Sequence, residues 1–111
     1  MDEKRNRRQF ARVNLHARIR VAFPGVDSRR QLLLENLSAG GLFIQTEQPK
    51  PIGTEFTFEF IARDGGPTIE GAGVVRWIES ELGRPKGMGI HFLRLNEAGE
   101  KDIRELLALR K

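Results

Sequence analysis

The chain contains no cysteine, which removes disulfides and thiolate zinc sites from consideration. It has no apolar run of about 18 residues, the length that a membrane-spanning helix requires. Its first residues, "MDEKRNRRQF", are charged and lead into no apolar stretch, so they do not read as a secretory leader. A cytoplasmic location without membrane insertion is the default expectation. Acidic residues are scarce at the start. Residues 1–20 hold seven basic side chains and two acids, a larger net positive charge than the formal +4 of the whole chain. Electropositive character is therefore confined to an N-terminal arm and the first strand, which points to an anionic partner.

What is present suits one small globular domain. The 111 residues, 39% of them hydrophobic, are enough for a single core. From Val13 to Phe23 apolar and polar residues alternate with period two, the mark of a strand with one buried and one wet face. "QLLLENL" (31–37) and "GLFIQT" (41–46) read as two further strands. "TEFTFEFI" (54–61) turns Phe56, Phe58 and Phe60 to one face, where they read as core. "TIEGAGVVRWIES" (68–80) is a longer strand whose Gly71 and Gly73 suggest a bulge or a close backbone approach. On it Trp77 shares a face with Val75 and reads as core. "LGRPKG" is expected to turn the chain into a last strand, "MGIHFLRL" (88–95). Asn96 then looks like the N-cap of a helix with Ile103, Leu106, Leu107 and Arg110 along one stripe. Six short strands and one terminal helix predict a mainly all-β fold, an antiparallel barrel with a C-terminal α-helix. Closure is favoured because it removes exposed sheet edges. The expected divisions are a basic arm over 1–12, the barrel over 13–95 and the helix over 96–111.

No catalytic constellation is visible. His16 and His91 lie on strands with no acidic partner at motif spacing, and Ser38 sits in "NLSAGG", which is not a nucleophile elbow. No metal-binding pattern occurs. The binding candidates are Arg7, Arg8 and Arg12 in the arm, and Asn36, Ser38, Gly40 and Gly41. In an extended segment Asn36 and Ser38 point to one side while Leu37 points into the core. The two glycines are expected to permit positive φ and to leave the backbone open to a ligand. Each segment alone also has a bland reading, a solvated arm in one case and a plain hairpin turn in the other.

Together, "RQFAR" (Arg8 to Arg12) and "NLSAGG" (Asn36, Ser38, Gly41) resemble the two motifs of the PilZ domain, a bacterial receptor domain for cyclic di-guanylate. "GVVRWIE" and "GMGIHF" look like that family's closing strands, so the resemblance runs from Arg7 to about Leu95. It implies a PilZ-type six-stranded barrel that is not an enzyme and holds no cofactor or metal. It implies that Arg8 and Arg12, supported by Arg7, grip a cyclic di-guanylate phosphate or guanine edge through bidentate guanidinium bonds. Asn36 and Ser38 would bond the ligand from the barrel surface, with Gly40 and Gly41 letting it lie close. The arm would reorder on binding and pass the signal, in motility or exopolysaccharide control, to an effector protein, the domain itself being a monomer or weak homodimer. Many members carry Asp where this chain has Asn36, which keeps the acceptor oxygen but not the charge. The alternative is therefore a nucleotide-blind PilZ module acting by protein–protein interaction. Nucleic-acid binding through the arm ranks last, because the strands present glutamates where stacking aromatics would be needed.

Overall fold

The computed structural model describes residues 12–25 and 30–109, with the backbone alone for Arg12 and Leu109. Six strands follow in chain order: β1 (Arg12–Ala22), β2 (Arg30–Ser38), β3 (Gly41–Gln45), β4 (Glu55–Ile61), β5 (Thr68–Glu81) and β6 (Arg84–Leu95). A helix, α1 (Glu97–Leu109), ends the described chain. The strands close into an antiparallel barrel in the order β1-β2-β3-β6-β5-β4, with β4 pairing back onto β1.

The alternation read from the sequence decides what fills the barrel. Ile19, Val21, Leu34, Leu37, Ile44, Ile69 and Val75 are fully buried, and the three phenylalanines of β4 join the same cluster. At about 25 cal/mol per Å² of apolar area removed from water, this interior is the main stabilising term. It also fixes every register, since a slip of one residue would turn a strand's apolar set outward. Gly71 and Gly73 lie opposite Phe58 and Phe56 on β4, and the β5–β6 register shifts between Ala72 and Gly73, as the glycines suggested.

One turn differs from expectation. The reversal takes only Leu82 and Gly83, with φ of 55° and 79°, the signature of a tight hairpin with two left-handed central residues. "RPKG" is therefore strand, not loop, and β5 and β6 run on as an exposed two-stranded ribbon stiffened by a Lys86–Glu81 ion pair. The sequence misled because Pro85 and two glycines read as turn residues. Proline is tolerated here because β6 extends beyond its pairing with β3, which ends at Gly87.

Asn96 ties the helix to the barrel in several ways. Its Oδ1 accepts from the Gly99 N–H at 3.0 Å, capping the first turn, and from the Glu70 N–H at 3.1 Å. Its Nδ2 donates to the Thr68 carbonyl, and its own N–H donates to the Glu70 carbonyl. Glu97 and Glu100 in the first turn suit the positive end of the helix dipole. Ile103 is buried in the barrel cluster, with Leu106 and Leu107 packed beside it. On the same helix the buried Asp102 carboxylate meets the Arg63 guanidinium from the β4–β5 connection. Asn96→Ala removes the cap and both bridges to β5, so it should cost about 2 kcal/mol, read as a lower urea midpoint at unchanged slope.

Candidate functional site

The registers assemble one face of the outer barrel surface. Arg12 opens β1 directly opposite Ser38 on β2, and two residues on Asn14 stands opposite Asn36. Asn36 is paired in turn with Phe43 on β3, Phe43 with Gly89 on β6, and Gly89 with Trp77 on β5. In the parallel row Gly41 is paired with His91. Leu37, Leu42, Ile44, Met88 and Ile90 are all buried inside, so the residues alternating with them face out. Asn36, Ser38, Phe43 and His91 therefore look out from one continuous stretch of sheet that begins where the arm enters it.

Arg7 and Arg8 lie outside the described residues, as does the side chain of Arg12, whose backbone position is described. Asn36 and Ser38 are half-buried and face out on β2. The Ser38 hydroxyl donates to the Gly41 carbonyl at 3.3 Å, and the Phe92 N–H donates to the Gly40 carbonyl at 3.0 Å, so the β2–β3 turn is laced together and onto β6. The expectation of positive φ at the two glycines needs correction. Neither is among the glycines with positive φ. Gly41 is glycine because β6 passes so near that a Cβ would overlap the Ile90 carbonyl oxygen. Strand-to-strand approach alone accounts for its missing side chain.

Trp77 also departs from expectation. It is 39% exposed, whereas Val75 is fully buried. The cause is a bulge: β5 spends three residues, Val75 to Trp77, opposite Ile90 and Gly89, which reverses the alternation and turns the indole outward. The ring lies over Gly89, where a methyl group would overlap it, and stacks on Phe43 with centroids 6.5 Å apart and planes at 27°. Phe43 covers Gly87 in the same manner and is buried without belonging to the interior cluster. The glycine pair of "GMG" was the available signal for this shelf, because two outward glycines two residues apart make room for rings.

This face is an open sheet surface. Concavities among the described residues include one lined by Arg20, Glu59, Glu70 and Arg94, one between β6 and α1 beside Ala39, Leu93, Arg104 and Leu107, and one at the β5–β6 ribbon beside Glu47, Leu82 and Lys86. None of these three gathers the polar and aromatic row described above. Among the described residues no group of three or more His, Asp or Glu converges as a metal site, and no helix is long and apolar enough to cross a membrane.

Fold and site define a class first: a closed antiparallel barrel that presents its distinctive polar and aromatic groups on its outer wall. The chain belongs to the PilZ domain family, whose model matches residues 6–109. Solved structures with the same fold include the inhibitor of motility MotI/DgrA of Bacillus subtilis, at 17% identity and a TM-score of 0.77. The match covers 94% of this chain and 50% of that one, so the chain spans about half the Bacillus protein. The PilZ domain of YcgR from Escherichia coli, solved with c-di-GMP, is 18% identical with a TM-score of 0.71, covering 93% of this chain and 90% of that one. The PilZ domain of CeSA from a cellulose-synthesizing bacterium is 17% identical with a TM-score of 0.61, covering 91% and 99%. No curated protein sequence matches the chain.

Because the chain has a single tryptophan, its emission reports on the shelf alone. Gly89→Ala should push the Trp77 ring off β6 and shift the emission maximum to longer wavelength. The overpacking should cost about 1–3 kcal/mol in stability, measured by urea unfolding of the same variant.

Proposed function

We propose that this domain is a receptor for cyclic di-guanylate that carries out no chemistry of its own. The observation that supports this most is the pairing of Arg12 with Ser38, which sets the end of the arginine motif against the "NLSAGG" motif on one side of the barrel. Family membership and the fold shared with the c-di-GMP-bound YcgR domain support the same ligand. In this reading Arg7, Arg8 and Arg12 supply bidentate, charge-assisted bonds to phosphates and guanine edges. The Asn36 amide oxygen and the Ser38 hydroxyl oxygen, both able to accept, meet guanine N–H groups. Gly40 and Gly41 hold the turn that presents them. The exposed indole of Trp77 offers a stacking surface for a purine, with Phe43 fixing its plane.

Binding energy of this kind becomes a signal if it reorganises the arm. In this reading the arm that precedes Arg12 carries the arginines, so fixing it around an anion would change the surface offered to an effector protein. The coarse role is an adaptor that couples the dinucleotide to a partner. The second reading is a nucleotide-blind module that binds a partner through the same face. Asn36 in the position where many relatives carry Asp favours it, as does the internal bond already made by the Ser38 hydroxyl.

Calorimetric titration with the dinucleotide at low salt separates the two. The receptor reading expects saturable heat at micromolar concentrations, and Arg8→Ala or Arg12→Ala should each weaken binding more than tenfold, about 1.5–3 kcal/mol for a charged hydrogen bond. Trp77→Ala should cost about 1–3 kcal/mol if a base stacks there. Silence across the titration would leave the nucleotide-blind reading standing.

A further inference from the structure

His91 is the one titratable side chain of the outward row that neither family motif contains. It is exposed and alternates with the buried Ile90 on β6. Its ladder partner on β3 is Gly41, which has no side chain to stand between it and Ser38. Two strand spacings, about 10 Å, therefore separate Ser38 from His91, with only the buried Gly41 between them. A molecule with two phosphodiesters and two bases bridges such a span. Trp77 flanks the same strip from the next row, through Gly89.

We infer that His91 is a further contact for the dinucleotide, placed to meet the phosphate or base that lies across β3 from Ser38, and that its contribution depends on its protonation. This rests on the receptor reading given above. As an imidazolium it adds a cation and a second N–H donor, and as a neutral ring it offers one donor and one acceptor. Between about pH 5 and 8 histidine is the side chain whose unperturbed charge changes. Phosphodiesters keep their single negative charge throughout that range, so a pH-dependent affinity must come from the protein.

The other charged groups around His91 leave room for such an effect. On β3 its neighbours are Gly41 and Phe43, which carry no charge. On β5 it pairs with Val74, with Arg76 in the bulge beyond, and Glu55 on β4 pairs with the far side of Val74. Farther along β6, Phe92 and Leu93 border a groove that Glu100 and Arg104 of α1 also line. Among the described residues no carboxylate occupies the strip between His91 and Asn36. An anion arriving there is the partner an imidazolium would take.

The test is a pH series of dinucleotide binding at constant ionic strength, from about pH 5.5 to 8. The chain has two histidines, so His16→Gln serves as the control for His91→Gln. Wild-type affinity should rise toward acid by roughly two- to fivefold, the worth of an exposed ion pair. The His16→Gln profile should follow the wild type, and the His91→Gln profile should be flat. His91→Lys, which keeps a cation at every pH, should also be flat and should exceed His91→Gln in affinity throughout. A flat wild-type profile, or an acid gain that survives in His91→Gln, overturns the His91 contact and leaves the receptor reading intact. Absence of binding at every pH overturns both.

Discussion

The pairing of β1 with β2 is the constraint from which the rest follows. It places Arg12 across from Ser38 and Asn14 across from Asn36. That register is not free to vary. Ile19 and Val21 on β1 and Leu34 and Leu37 on β2 are fully buried, and moving either strand by one residue would exchange them for arginines, glutamate and asparagine. Closure adds a second restraint, because β1 must satisfy β2 on one side and β4 on the other. The interior thus dictates where the arm joins the outer wall. A hydrophobic core with no polar function of its own fixes the position of a polar site.

Glycine has a different task on this wall than its usual association with turns suggests. Gly41 admits the β6 backbone, Gly87 admits the Phe43 ring and Gly89 admits the Trp77 ring. Each missing side chain is filled by a neighbour from another strand, so β3, β5 and β6 interlock at these three positions without a charged group in the contact. The outcome is a rigid shelf beside the half-buried amide and hydroxyl of β2. Rigidity matters for recognition because a site that is ordered before binding spares the complex the entropy of ordering it. In the proposed receptor the basic arm would supply charge, and the shelf a surface for that charge to hold a ligand against.

Much of the barrel was legible in the sequence because period-two alternation is a local signal. The strand from Val13, the three inward phenylalanines of β4 and the capping residue Asn96 each depend on residues only a few positions apart. Departures from the reading arose where the pattern is set by a partner strand. The bulge at Val75 to Trp77 cannot be seen in β5 alone, since it exists only relative to Ile90 and Gly89. The ribbon around Leu82 and Gly83 hides behind Pro85, which signals a turn unless the strand is known to have a free edge there. Of the site, the two short motifs were readable, and the backbone of Arg12, the last residue of the first, pairs with Ser38 of the second. Phe43, Trp77 and His91 were not placed with them, because lateral neighbours across a sheet are separated in sequence by tens of residues.

The central claim is spatial: one anionic ring lies over the outer wall where β1, β2, β3 and β6 run side by side. Amide chemical shifts recorded while cyclic di-guanylate is added test it most directly. The account predicts that the large changes fall at the start of β1, over 36–41 and over 87–91, together with the Trp77 indole N–H. Amides around Arg20, Thr57 and Glu70, elsewhere on the barrel, should stay in place. Changes centred on those residues, with the 36–41 segment unmoved, would contradict the account.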